Sequence, residues 1–332
     1  MAADAVASSR GESNRRWGCW CSRFTCAVGL ALGMLVVMGL CGWPPWVGDL
    51  AAHFFVQYAL AASVLLIIAL VRTRWSMAAL LAVCAALSAW MASLPWRLAE
   101  QRTTVARSTQ RTRLLYANVN TRNPTPAAIL QIIAREKPDI VVLVEASAAF
   151  SPVIEELAAE YPYSVVDLRE HNDGLAILSR CKATRGELIK LPPHVRGRIA
   201  AMTVEFADGD HVRIIAAHSH PPSTPSGARQ RDAELIEIAA VIKNESGQVL
   251  FAGDLNTTMW AKSFQDFAMA SGLHDARIGF GIAPTWPSFL PTILQLPIDH
   301  VLHSTSLGVH DFRTVAAIGS DHLPVVVDFS SP

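Results

Sequence analysis

The sequence predicts an α/β domain with two packed sheets, preceded by three transmembrane helices. Three observations carry this. Before residue 100 stand three almost uncharged apolar runs. From residue 113 short apolar runs that read as strands alternate with stretches of helical spacing. Carboxylate, amide and imidazole side chains recur at the ends of those short runs.

The N-terminal elements come first. The chain has 332 residues, 51% of them hydrophobic, and a mean hydropathy of +0.29. An ordinary soluble domain is about 45–50% apolar, and the excess lies before residue 100. Runs 24–43, 50–71 and 75–96 are each close to the roughly 20 residues that cross a hydrocarbon core. Only His53 and Gln57 interrupt the second, and the third has no charge. Trp43, Trp46, Trp75 and Trp96 stand at their ends, where an aromatic belt belongs. A signal peptide followed by buried helices fits less well, because three runs are too many and no small-residue cleavage site stands out.

Orientation follows the arginines. Arg10, Arg15, Arg16 and Arg23 mark the tail, and Arg72 and Arg74 the loop between the second and third runs; the first loop has only Asp49. Tail and second loop are therefore expected in the cytoplasm, and everything past the third run outside it. Arg97, Arg102, Arg107, Arg111 and Arg113 argue the other way, but they precede a long domain, whose charges weigh less. The expected organisation is a cytoplasmic tail over 1–23, a membrane anchor over 24–96, a polar linker over 97–112 and an α/β domain over 113–332.

Of six cysteines, Cys19, Cys21, Cys26, Cys41 and Cys84 fall in the tail or the runs. Only Cys181 lies in the soluble part, which therefore cannot form an internal disulfide. Cys19-Trp20-Cys21 has the wrong spacing for a redox or metal pair and reads as membrane-edge cysteines. Lys and Arg total 28 against 28 Asp and Glu. A net charge of zero gives no bulk electrostatic support for nucleic-acid binding.

In the soluble part, 114–119 reads as a strand and 126–136 as a helix, with Thr125 as a cap and Pro126 in its first turn. Run 139–144 is a buried strand that stops at Glu145. Runs 175–178, 200–206 and 212–217 are further strands, the last two joined by a turn at Asp208-Gly209. Helices are expected over 229–242 and 261–270, and strands over 249–252, 298–302 and 325–329. His220-Pro221-Pro222 through Pro225 reads as a rigid loop, and Tyr161-Pro162-Tyr163 as a turn with packed rings. About 220 residues of this alternation suggest one α/β domain.

The chemistry sits at strand ends. Asp254-Leu255-Asn256 follows an apolar run, and Ser320-Asp321-His322 precedes another about 65 residues later. Side chains two apart on a strand share a face, so Asp254 and Asn256 project together. Carboxylate, amide and imidazole gathered this way suit hydrolysis of a phosphate ester with a hard metal ion. Singly, each residue has a plainer reading. Glu145 could be a strand-end carboxylate, Asp254 and Asn256 turn or cap residues, Asn118 a strand terminator, Asp299 half of an ion pair and His322 a core histidine. What outweighs those readings is the set.

Tyr116-Ala117-Asn118-Val119, Val142-Leu143-Val144-Glu145, the run 174–180, Ala217-His218, Gly253-Asp254-Leu255-Asn256, Ile298-Asp299-His300-Val301 and Ser320-Asp321-His322 occur in this order over nearly all of 113–332. The set resembles the endonuclease/exonuclease/phosphatase (DNase I-like) superfamily. The resemblance implies a four-layered α/β sandwich with the site where loops leave the two central sheets. It also implies roles. Glu145, helped by Asn118 and supported by Asp321, would bind Mg²⁺, with Mn²⁺ as the alternative. Asp254 would position or deprotonate the attacking water, and Asn256 would hold a phosphate oxygen. His322 would act on the phosphoryl group, its ring oriented by Asp299. His218 matches the second active-site histidine, with His220, two residues on, as the alternative.

The expected activity is that of a membrane-anchored, metal-dependent phosphoesterase cleaving phosphomonoesters or phosphodiesters of a lipid-linked or other extracytoplasmic substrate at the bilayer. An extracytoplasmic nuclease is the second reading, disfavoured by the neutral charge and the lack of a Lys/Arg stripe. A non-catalytic membrane-binding module is the third. No protein partner is readable from the sequence.

Overall fold

Strands buried on both faces need continuous apolar runs, and that requirement shapes the catalytic half. The computed structural model describes residues 25–99, 111–206 and 209–331. They divide into two compact units, Met1–Ala92 and Ser93–Pro332. Cys19-Trp20-Cys21, Asp208 of the expected turn and most of the expected linker lie outside the described residues.

The first unit departs from three equal spans. Helix α1 (Thr25–Cys41) and helix α2 (Pro45–Ala52) are bent by 103° to one another. Pro44 and Pro45 explain the break, because proline lacks the N–H and clashes with the preceding turn. Run 50–71 is divided, so that α3 (Phe55–Val71) has 17 residues. Helix α4 (Trp75–Ala92), with 18, is the one described helix long and apolar enough to cross a membrane; the count rises to two if α1 and α2 form one broken span. Leu32, Val36, Ala62, Ala69, Ala78 and Leu81 form this unit's core.

The second unit opens with a short helix, α5 (Leu94–Arg97), where the sequence suggested the end of the third apolar run, with Arg97 as the first linker residue. Its remaining elements, in chain order, are β1 (Thr112–Asn118), α6 (Ala128–Glu136), β2 (Ile140–Val144), α7 (Ser151–Leu157), β3 (Tyr163–Asp167), β4 (Leu175–Ser179), β5 (Ala183–Lys190), β6 (Arg198–Glu205), β7 (His211–His218), α8 (Pro225–Lys243), β8 (Gln248–Asp254), α9 (Lys262–Ser271), β9 (His274–Asp275), β10 (Asp299–His303), β11 (Gly308–Thr314) and β12 (Val325–Ser330). Two six-stranded sheets result, ordered β11-β12-β1-β2-β4-β3 and β5-β6-β7-β8-β10-β9.

Alternation along β1 and β2 builds the layers. Leu114, Tyr116, Ile140, Val142 and Val144 face the second sheet, meeting Ala200, Met202, Ile214, Leu250 and Val301. Leu115, Ala117, Val141 and Leu143 face outward, under Ile129 and Ile133 of α6 and Val153 and Leu157 of α7. Helices therefore cover the outer face of the first sheet, and α8 and α9 accompany the second. This is the α/β sandwich expected.

Two local expectations change. Thr125 does not cap α6: Ala127 takes that position without a side-chain bond, and the Thr125 N–H instead donates to Asn123 Oδ1 at 2.9 Å. Helix α8 begins before 229, because Pro225 fits the first turn and Thr224 Oγ1 accepts from Gly227 N at 3.0 Å.

Candidate active site

Strand register brings the polar residues together. In the first sheet β1 and β2 run parallel with Asn118 beside Val144, so Asn118 and Glu145 leave the same edge. In the second, His218 ends β7 beside Asp254 at the end of β8, and Asp299 at the start of antiparallel β10 also pairs with Asp254. The two sheets pack face to face, so both groups meet at one end of the sandwich. Close strand packing depends on Gly253: a Cβ there would lie 2.3 Å from the Ala217 carbonyl oxygen.

Asn118 is the junction. Its Nδ2 donates to Glu145 Oε1 at 2.9 Å and to Asp254 Oδ2 at 3.0 Å, and lies 3.5 Å from His322 Nε2. Its Oδ1 accepts from Asn120 N at 3.0 Å. The amide nitrogen, not the oxygen, thus faces the carboxylates, so Asn118 stands here as their donor and not as an oxygen ligand. Glu145 follows β2 with φ 58°, and Asn120 and Asn256 also have left-handed backbone, φ 55° and 48°. Such conformations are uncommon outside glycine and collect at functional sites.

Asp299 accepts twice. Tyr116 Oη–H donates to its Oδ1 at 2.8 Å, and His322 Nδ1–H donates to its Oδ2 at 2.7 Å. Burial opposes a charge on His322, yet the Asp299 charge and hydrogen bond, with Asp254 and Asp321, raise it to about 10. Burial likewise opposes the Asp299 carboxylate, but the His322 charge and its hydrogen bond bring it below the usual range. The pair is an imidazolium against a carboxylate, with Nε2–H left to face the cleft. Asp254 goes the other way: burial, then the neighbouring Asp299 charge, raise it to about 6. A carboxyl raised in this way accepts a proton more readily than an ordinary carboxylate.

Asp254 Oδ1 accepts from Asn256 N at 2.9 Å, and Asn256 Nδ2 donates to the Ser219 carbonyl at 2.8 Å. His218 Nδ1 faces the Asn172 carbonyl at 2.8 Å, which assigns the proton to Nδ1. Its Nε2 lies 3.5 Å from Glu145 Oε1 and 3.8 Å from Asp254 Oδ2. Between the two histidines the structure gives this place to His218. His220 lies past the strand end, its N–H donating to Glu234 at 2.6 Å.

Two sets of ligand atoms lie within 4.8 Å of one another: Glu145, His218 and Asp254, and Asp254, Asp299 and His322. In the second set His322 Nδ1 is already hydrogen-bonded to Asp299. The first, two carboxylates and an imidazole without thiolate, fits a divalent cation of the hard or borderline kind. Glu145 belongs to the first set, whereas Asp321 stands apart from both. Asn120 Nδ2 and Trp286 Nε1 hold its two oxygens, at 2.6 and 3.0 Å.

Sequence reasoning missed four contributors. Tyr116 lies two residues before Asn118 on β1, so strand alternation puts it on the same face and could have found it. Asn120, Asn172 and Trp286 act from loops, where no period exists. Gly319 is a further one in kind: its φ is +82°, and a Cβ would meet Thr125 Oγ1 at 2.1 Å, so only glycine lets the 320–322 segment approach.

Comparison with known proteins agrees with this fold. The model of the "Endonuclease/Exonuclease/phosphatase family" matches residues 115–322. The human Nocturnin catalytic domain with bound sulfate superposes with a TM-score of 0.54 at 20% identity, covering 67% of this chain and 95% of that one. Zebrafish (D. rerio) TDP2 with a single-strand DNA product gives 0.57 at 17%, covering 67% and 100%. An endonuclease/exonuclease/phosphatase from Bacteroides vulgatus gives 0.58 at 17%, covering 68% and 100%. No curated protein matches the chain.

Proposed function

The chain belongs to the endonuclease/exonuclease/phosphatase family, and from that premise we propose a membrane-anchored phosphoesterase acting on a lipid-linked phosphate outside the cytoplasmic membrane. As a family member it is a divalent-metal-dependent hydrolase of phosphate ester bonds. The observation that carries the reading is the cluster of buried Glu145, Asp254, Asp299 and His322 with half-buried His218, drawn from both sheets.

The residues divide the work. Glu145 would hold the cation, proposed as Mg²⁺ with Mn²⁺ as the alternative, leaving Asp254 to the attacking water and His218 to the phosphate. When bound, it supplies Lewis acidity at a phosphoryl oxygen, worth several kcal/mol. Asp254 accepts the proton of the attacking water. His322 presents a charged Nε2–H to the phosphoryl group, where negative charge grows in the transition state. Asp299 fixes the ring and its tautomer, and Tyr116 fixes Asp299. Asn256 and His218 border the same space and contact the substrate's phosphate.

Two features support the lipid-linked substrate. The chain carries an apolar unit with at least one helix able to cross a membrane. Its Lys and Arg are balanced by Asp and Glu, whereas nucleic-acid affinity draws heavily on phosphate neutralisation. A nuclease is the second reading, favoured by the likeness to TDP2 with bound single-strand product.

The test is hydrolysis by the full chain in phospholipid vesicles, with Mg²⁺, with Mn²⁺ and with chelator. The panel holds vesicle-embedded lipid phosphates, single- and double-stranded nucleic acids and soluble phosphomonoesters. Chelator-sensitive turnover favouring embedded lipid phosphates is expected. Preference for nucleic acid would move the assignment to the second reading, and no metal-dependent hydrolysis of any member would leave a binding module.

A further inference from the structure

Residues 278–298 contain no charged side chain, although Trp286 within them bonds Asp321 and lies 6.5 Å, ring to ring, from His322. The centre of this stretch is a loop, 287–294, on a rigid mount. Trp286 Nε1 donates to Asp321, Ser288 N donates to the Asp321 carbonyl at 2.7 Å, and Ser288 Oγ donates to the Ser320 carbonyl at 2.8 Å. Gln295 Nε2 ties the far side back to the Leu290 carbonyl at 2.7 Å, and a short 3-10 turn, Thr292–Leu294, stiffens the tip. The mount is thus the 320–321 backbone, one residue from His322.

This held loop puts apolar side chains in water. Phe289 is 77% exposed, Ile293 49% and Leu294 46%. The other large apolar side chains exposed in the second unit, Trp96, Leu188, Ile236 and Met269, are spread over four separate elements. An ordered cluster of this kind marks an interaction site. The sequence around it selects the partner. Without Lys or Arg it has nothing to neutralise phosphates of nucleic acid. The unit that carries it begins at Ser93, one residue after a helix able to cross a membrane. Phe, Ile and Leu on a neutral tip suit the boundary between headgroups and acyl chains.

We propose that loop 287–294 inserts its tip, Phe289, Ile293 and Leu294, into the surface of a lipid bilayer and holds the catalytic cleft against it. This rests on the lipid-linked reading above and adds the means by which the cleft meets a headgroup at the membrane plane.

The experiment uses the full chain in vesicles of phosphatidylcholine and phosphatidylglycerol. Benzoylphenylalanine replaces Phe289 or, as an exposed control on α8, Ile236. On illumination, a lipid adduct at 289 and none at 236 is expected. No adduct at 289, equal adducts at both sites, or an adduct at 289 to protein overturns the proposal. None of these outcomes depends on turnover, so they are separable from failure of the enzymatic reading.

A second arm tests the consequence. Turnover is measured on vesicle-embedded dioleoyl phosphatidate and on dibutyryl phosphatidate in solution, which share a headgroup. F289S/I293S/L294S should lose roughly tenfold or more on the embedded ester and little on the soluble one, since only the first requires the lipid surface. Equal turnover by wild type and variant on both esters overturns the claim that the loop presents the cleft to lipid.

Discussion

Asp299 illustrates how much a buried carboxylate can organise. One oxygen takes the Tyr116 hydroxyl, the other the His322 ring, so Tyr116 governs His322 without touching substrate. Removing that hydroxyl with Tyr116→Phe costs one hydrogen bond, about 1 kcal/mol, or roughly fivefold in kcat at saturating metal. Metal affinity should not change, and a shift in it would place Tyr116 elsewhere in the mechanism. Asp299→Asn and His322→Ala should each lower turnover, and because they act on one ring their effects should be less than additive. Full additivity in that cycle would break the proposed coupling. Glu145→Gln should act differently, raising the metal concentration for half-activity by about 10–100-fold, comparable to other losses around a metal site. A titration of activity against Mg²⁺ separates the two classes. At this scale the sequence shows the residues that end strands, because strand ends are legible. Asn120, Asn172 and Trp286 are hidden, since loop geometry brings each to its partner without any sequence period.

Element by element, legibility follows position in the sheets. The strands with no clear signal are β3, β5, β9 and β11, and these are the four sheet edges. Central strands are covered on both faces and need unbroken apolar runs, as in Ile140–Val144. Edges meet water, and charges suit them. Strand β5 carries Arg185, Glu187 and Lys190, and β11 carries His310, Asp311 and Arg313, so neither shows an apolar run. The tie between β1 and β12 is legible only in the structure. Arg113 pairs in register with Asp328, its Nε and Nη2 donating to the two carboxylate oxygens at 2.6 and 2.8 Å. Burial opposes the Asp328 charge, but the bonds from Arg113 and its charge bring that carboxyl below its usual value near 3.8. A depressed folded-state value means the pair's stabilisation is complete above about pH 4 and is lost as pH falls through the lower folded value. Asp328→Asn should therefore cost about 1–2 kcal/mol at pH 7, discounted for the half-buried guanidinium, and less at pH 3. Denaturant midpoints at the two pH values test this; an equal loss at both would mean the carboxylate charge is not what matters.

The side of the membrane on which the cleft lies is a property of the whole chain, and it depends on fewer helices than the sequence suggests. Three spans would fix it by parity, and the bend between α1 and α2 removes that certainty about the count. Parity is not needed, however. The last crossing decides the side, and α4 is the described helix best suited to make it. Just before α4 stand Arg72 and Arg74, and α4 itself has no charge. Arginines close to a span favour the cytoplasm, whereas those ahead of a long exported domain weigh little. Whether α1 and α2 cross together, bend back or lie at the surface, the proposed route has α4 running outward and delivering Ser93–Pro332 to the far side. A β-lactamase fused behind residue 332 should therefore protect cells from ampicillin. Replacing Arg72 and Arg74 with Glu should reduce that protection, because it removes the charges that hold the loop inside. Protection unaffected by those substitutions would show that orientation is set elsewhere, by the tail arginines. A fusion that never protects would move the cleft to the cytoplasm and its substrate to the inner leaflet.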